Sequence, residues 1–210
     1  MCRKSLAKFL EKDKELILNA SKCGIDYYEK LFGFKFPFAK LDQAFVPDFA
    51  SGAMENVGMV TYRDQFVRRD EIFTDYKTGY ILMVFLHEIS HMWFGNCVTM
   101  KWWDDLWLNE SFANFVSYVC LDEAPGLEQF KNAWSIFLQE SFWGLKEDQA
   151  VTTHPIAADV VHTNAAMDIF DGISYGKGAS WLKQTFHLFG REVFQKGIAA
   201  YFNKFAYKNT

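Results

Sequence analysis

The strongest hydrophobic signal in the chain lies at residues 80–94, where Tyr80, Ile81, Leu82, Met83, Val84, Phe85 and Leu86 run without a polar break. His87-Glu88-Ile89-Ser90-His91 follows, and Met92, Trp93 and Phe94 resume the apolar run. A helix that is apolar nearly all round is a buried helix, and Thr74 or Asp75 is placed to cap it. Upstream, Leu6, Phe9, Leu10, Leu16, Ile17 and Ala20 keep helical spacing with Lys and Glu between them, which predicts an amphipathic helix over 4–20 with a solvated charged face. Gly24 is expected to interrupt it, residues 25–32 to add a turn or two, and Gly33 to act as C-cap. Residues 41–46 and 59–63 read as strands, Phe34, Phe36 and Phe38 as at most an edge limited by Pro37, and 51–58 as a glycine-hinged loop or edge strand. Residues 64–75 are charged and irregular. Helices are predicted over 104–119, 127–142, 176–189 and 192–205, with a Pro125-Gly126 turn, no sustained periodicity over 147–173 and no closing element after 205. A small N-terminal sheet region followed by a mainly helical lobe makes the fold class α+β.

Burying His87, Glu88 and His91 is costly unless each polar group finds a strong partner. Residues i and i+4 share a helix face, so the two imidazoles converge and can hold one metal ion, the arrangement of an HExxH site. Glu88 stands roughly 100° further round the helix, bordering a metal rather than facing it, as suits a base acting on a metal-bound water. Eighteen residues separate His91 from Glu110, a third ligand on the next predicted helix. Three protein ligands leave one position open for water. By chance alone HExxH occurs in about one chain of this length in two hundred; Glu110 at this separation makes the accident rarer still.

Composition narrows the class. Half of the 210 residues are apolar and 18% are aromatic, which favours a packed body over disorder. Lys and Arg total 22 against 26 Asp and Glu, a net charge of −4 with no basic excess for nucleic acid. The four cysteines are scattered without a CxxC pair and read as free thiols. There is no signal-peptide pattern near Met1 and no apolar run of membrane-spanning length, so a cytoplasmic location is expected. Nothing in the sequence specifies an oligomeric state.

Four blocks together resemble the zinc aminopeptidases of the aminopeptidase N type, gluzincins with HExxH, eighteen residues and Glu. They are His87 to His91 with Glu110; Gly52-Ala53-Met54-Glu55-Asn56; the run Trp102 to Glu110; and Ile173-Ser174-Tyr175-Gly176-Lys177-Gly178-Ala179. Phe94-Gly95-Asn96, Val98-Thr99-Met100 and Thr153-His154-Pro155-Ile156 extend the likeness over nearly the whole chain. The resemblance implies a thermolysin-like catalytic domain spanning 1–210, an incomplete portion whose relatives carry a β-rich domain before it and further catalytic and helical parts after it. It also implies one Zn2+ per chain and, as substrates, peptides with a free N-terminus.

On that resemblance Glu55 holds the substrate α-amino group, the segment Gly52, Ala53, Met54, Glu55 and Asn56 binds the peptide, and Tyr175 hydrogen-bonds the developing oxyanion. The expected reaction is hydrolysis of the N-terminal peptide bond. Zinc on His87, His91 and Glu110 activates water, and Glu88 is general base and then acid. Two alternatives stay open at this point: a non-catalytic zinc-stabilised fragment or binding domain, and an endopeptidase or epoxide-hydrolysing relative on the same scaffold. Val57 and Ser111 depart from residues frequent in the family, an aromatic and a glycine, beside the first side-chain pocket. His154, His162 and His187 are expected to be structural, and Trp102, Trp103 and Trp107 to be core around the metal.

Overall fold

The structure is a computed structural model, and it describes residues 1–69, 74–130 and 133–210. The predicted irregular stretch 64–75 and helix 127–142 therefore fall partly outside the described residues.

Helix α1 (Ala7–Phe32) is a single element of 26 residues that runs straight through Gly24. The expected interruption does not occur, for a tertiary reason. A Cβ at Gly24 would stand 2.6 Å from Leu86 Cδ2 of the next helix, so the missing side chain lets the two helices approach. Gly33 ends α1 with φ +59°, the left-handed conformation that favours glycine at this position.

Strands β1 (Asp42–Val46), β2 (Ala53–Met54) and β3 (Met59–Arg63) form a sheet in the order β1-β3-β2. β1 lies parallel to β3 with Phe45 opposite Tyr62, and β2 is antiparallel to β3 with Met54 opposite Thr61. Alternation puts Val60 and Tyr62 on the buried face. There Tyr62 stacks on Phe45 at 5.4 Å and meets Phe85 of the next helix, residues Asp75–Ser90, edge-on at 4.7 Å, which docks the sheet on that helix. The Phe34, Phe36 and Phe38 stretch is not a strand. Its Phe34 carbonyl accepts from Trp93 Nε1 at 3.1 Å and its Phe36 ring packs on Trp93.

Helix α2 (Asp75–Ser90) is capped by Thr74, whose hydroxyl accepts from the Lys77 amide at 3.2 Å. From Ile81 to Ser90 all its residues but Val84 are buried, as an all-round apolar helix requires. It packs between α1 and α3 (Trp107–Glu123), itself buried along most of its length. Helix α4 (Ala133–Asp148) follows, then a short α5 (Thr163–Ala166), a π-helical turn Ile173–Lys177, α6 (Gly178–Phe189) and α7 (Arg191–Phe205). The aperiodic residues 147–173 cover a small second core of Leu106, Ala158, Val160, Ala166 and Ile169.

A closing element does exist: β5 (Lys208–Asn209) pairs in parallel with β4 (Val98–Thr99). Two residues joined through their backbones leave no hydrophobic pattern to read. The molecule is thus helix-rich with a small sheet, and among the described residues no helix is long and apolar enough to cross a membrane.

Candidate metal centre and active site

His87 and Glu88 lie in the last turn of α2, and His91 follows at its C-cap in helical conformation, which preserves the i, i+4 register. Glu110 stands in the first turn of α3, where the helix dipole favours a carboxylate. All four are buried. His87 Nε2 is 2.9 Å from His91 Nε2, and Glu110 Oε2 is 3.3 Å from each. Donor atoms about 2.0–2.1 Å from one tetrahedral centre lie about 3.4 Å apart, close to these three separations. Glu110 Oε2 has no hydrogen-bond partner among the described residues, and neither does Glu88 Oε2. Two imidazoles and one carboxylate, with a buried oxygen left over, fit a divalent cation of zinc's ligand preference. They are also the His/Cys/Asp/Glu group found with metal-site spacing among the described residues.

The Phe94 carbonyl accepts from His91 Nδ1 at 2.9 Å, which fixes the ring and directs Nε2 at the triad. Charges around the pair set its protonation. Burial works against charge on His91, but the carboxylates of Glu55, Glu110 and Glu88 outweigh it and hold the imidazole up at about 10. Burial and the neighbouring His91 instead lower His87. Glu110 is opposed by burial yet held well below the usual carboxylate range by His91 and His87. Glu88 goes the other way: burial, reinforced by Glu55 and Glu110, raises it well above an ordinary glutamate.

Glu55 follows β2 directly, and its Oε1 stands 4.0 Å from His91 Nδ1. Its backbone carbonyl accepts from Asn96 Nδ2 at 2.7 Å. The Gly52–Asn56 segment is therefore tied to the turn that leaves α2. Asn56 Nδ2 donates to Thr61 Oγ1 at 3.1 Å, and Met54 is exposed.

Tyr175 sits on the π-helical turn, its ring 6.0 Å from that of His87 and nearly parallel to it. Burial, then Glu110, Glu88 and Glu55, raise its pKa well above the ordinary phenol, which keeps the hydroxyl protonated. The turn is held by backbone contact. A Cβ on Gly172 would stand 2.7 Å from the Trp143 carbonyl, and one on Gly176 would overlap the Glu140 carbonyl, both on α4. From α3, Ser111 Oγ donates to the Ser174 carbonyl at 2.5 Å and Asn114 Nδ2 to the Tyr175 carbonyl at 3.3 Å. Ser111 is fully buried in this contact.

The structure thus brings His87, Glu88, His91, Glu110, Glu55 and Tyr175 to one place. Sequence reasoning assigned no task to Asn96, Ser111, Asn114 or Asp171, whose roles arise between elements far apart in the chain. Asn96 was visible only as part of the Phe94-Gly95-Asn96 likeness. Of the three tryptophans, Trp107 and Trp103 are partly buried and pack against the main and the second core, on Phe112 and Phe170, whereas Trp102 is exposed and donates to the Val160 carbonyl at 2.6 Å.

Residues 16–210 match the Peptidase family M1 domain. "Aminopeptidase N" of Streptomyces lividans is 46% identical over 210 residues, 100% of this chain and 24% of its own. "Aminopeptidase M1-A" of Oryza sativa subsp. japonica is 45% identical over 183 residues, covering 87% of this chain and 20% of its own. "Leucyl aminopeptidase" of Saccharolobus solfataricus is 42% identical over 193 residues, 91% and 24% respectively. The chain spans about a quarter or less of the length of these curated relatives.

Proposed function

The chain belongs to peptidase family M1, and from that premise we propose that it is a zinc-dependent aminopeptidase with a thermolysin-like catalytic fold, hydrolysing the N-terminal peptide bond of peptides. The observation that carries the reading is one buried site holding a three-donor set together with two carboxylates the set does not use, Glu88 and Glu55. A site built only to bind a metal has no need of either.

His87, His91 and Glu110 are the residues that would hold one zinc ion. Bound there, zinc supplies Lewis acidity that lowers the pKa of a water towards about 7 and polarises the scissile carbonyl. Glu88 takes the proton from the attacking water onto its carboxylate and delivers it to the leaving amine. Its burial suits that task, since a carboxyl raised above its ordinary range retains a proton between the two transfers. The Tyr175 hydroxyl donates to the oxygen on which negative charge develops, a contact commonly worth about 3 kcal/mol.

Glu55 pairs with the substrate ammonium. Standing beside His91, it sets a distance short enough that only the first peptide bond reaches the triad. β2 is an edge strand of its sheet, with the Gly52 carbonyl accepting from the Arg63 amide of β3 at 2.9 Å, so the open side of the Gly52–Ala53 backbone lines up an extended peptide, flanked by Met54 and Asn56.

The test is hydrolysis of a panel of aminoacyl fluorogenic amides by the purified chain, with metal content measured on the same sample. Free-amine substrates are expected to turn over, N-acetylated ones not, and Glu88→Gln to abolish turnover while retaining zinc. Near-normal rates in Glu88→Gln, or equal cleavage of N-acetylated peptides, would overturn the reading.

A further inference from the structure

His154 and Asp171 lie outside the triad and have no part in the reaction above, yet they meet at the base of the turn that carries Tyr175. A π-helical turn holds one residue more than an α-turn and is rare outside functional positions; something must hold it open. Asp171 does so through three hydrogen bonds to two of its oxygens. Its Oδ1 accepts from the amides of Ile173 at 2.9 Å and Ser174 at 3.1 Å, and its carbonyl accepts from the Tyr175 amide at 3.1 Å. The remaining oxygen, Oδ2, faces His154 Nε2 at 3.0 Å.

The other nitrogen of His154, Nδ1, lies 2.6 Å from the Pro155 carbonyl. The ring therefore stands between the Thr153–Ile156 stretch and Asp171, with Nε2 within hydrogen-bond distance of the carboxylate. That stretch is itself anchored: Thr153 Oγ1 donates to Asp148 Oδ1 at 3.1 Å, and Lys177, the last residue of the turn, donates to the same oxygen at 2.6 Å. On the opposite side, Ser111 and Asn114 hold the carbonyls of Ser174 and Tyr175. The turn is therefore gripped by its amides through Asp171 and by its carbonyls through α3.

We propose that His154 and Asp171 form a positioning pair for Tyr175, in which the imidazole fixes the rotation of the Asp171 carboxylate and the carboxylate fixes the amides that aim the phenol. The inference rests on the oxyanion role given to Tyr175 above. With His154 removed, Asp171 keeps its two amide bonds but loses the partner of Oδ2, and one side of the turn loosens. The α3 grip keeps the fold. Displacing a reacting group by about 1 Å costs up to about a hundredfold in rate, so a partial loosening should cost about tenfold.

The experiment compares wild type, His154→Leu and His154→Gln, whose amide nitrogen reaches where Nε2 stood. Hydrogen exchange is read at residues 171–177, and steady-state kinetics are run on an aminoacyl amide with and without Tyr175→Phe. Expected for His154→Leu are faster exchange at the Ile173 and Ser174 amides with α2 unchanged, kcat down about tenfold and KM within about twofold. His154→Gln should recover much of both. In the Tyr175→Phe background His154→Leu should cost nothing further, because the pair acts through the phenol. Unchanged exchange at those two amides, or an equal loss of rate in the Tyr175→Phe background, overturns the proposal. If the wild-type chain turns over no aminoacyl amide, the aminopeptidase reading fails, while the exchange arm still supports or overturns the pair as the anchor of the turn.

Discussion

Asn96 Nδ2 donates to the backbone carbonyl of Glu55 at 2.7 Å, across 41 residues of chain. This bond sets the Glu55 carboxylate beside His91 by holding its backbone to the turn that leaves α2, so the two halves of the site are registered by one side-chain amide. Asn96→Ala should loosen the ammonium contact proposed for Glu55 without touching the triad. KM for free-amine substrates is expected to rise about tenfold, the size of a hydrogen bond of about 1.5 kcal/mol, with zinc content unchanged. Kinetics and metal analysis on the same preparation check this, and a loss of zinc with KM intact is the contrary result.

Metal uptake should depend on pH with a definite sign. His91 is raised to about 10 in the metal-free protein, so near neutrality it carries a proton that a cation must displace. His87 is lowered and Glu110 is held ionised, so neither adds a second proton there. Affinity is then expected to rise with pH between about pH 6 and 8, with protons released on binding. Competition against a chromophoric chelator at several pH values measures the slope, and a flat profile contradicts the assignment.

Gly176 leaves no room for a side chain, because an added Cβ would overlap the Glu140 carbonyl of α4. A backbone carbonyl is not displaced as a flexible side chain is. Gly176→Ala is expected to cost about 1–3 kcal/mol, the range of overpacking, and to lower turnover by shifting the neighbouring Tyr175. Denaturant melts and kcat report the two effects, and an unchanged melt shows that the turn yields.

Asp64 accepts from Arg3 Nε at 2.7 Å and from Arg69 at 2.8 Å, and the Arg3 hydrogen bond comes first in holding its carboxyl below the usual aspartate range. A group whose pKa is lower folded than unfolded stabilises above its unfolded value, about 4, and loses that contribution as pH falls through the folded value. Asp64→Asn should therefore lower the melting temperature at pH 7, with the gap to wild type closing below about pH 4. Thermal melts across that range decide; a gap that widens in acid has the wrong sign.

Local pattern in the chain determined a good deal of this protein. The apolar run from Tyr80 to Leu86 marked the buried helix, the i, i+4 period aligned His87 with His91, and a run of β-favouring residues marked strand 59–63, because each depends on features confined to a few neighbouring residues. The four blocks also carried the family likeness that the matches to peptidase family M1 bear out. The tertiary structure decided the rest. Gly24 looks like a break in the sequence, but it is where Leu86 of the next helix comes close, and so α1 runs unbroken. The pairing of Val98 with Lys208 involves backbone groups alone, and every residue has those. The bonds from Asn96 to Glu55, from Ser111 to Ser174 and from His154 to Asp171 join positions whose separation in sequence says nothing about their separation in space. A side chain's neighbours along its own helix or strand are set by backbone periodicity, whereas its partners across the core exist only once the elements have packed.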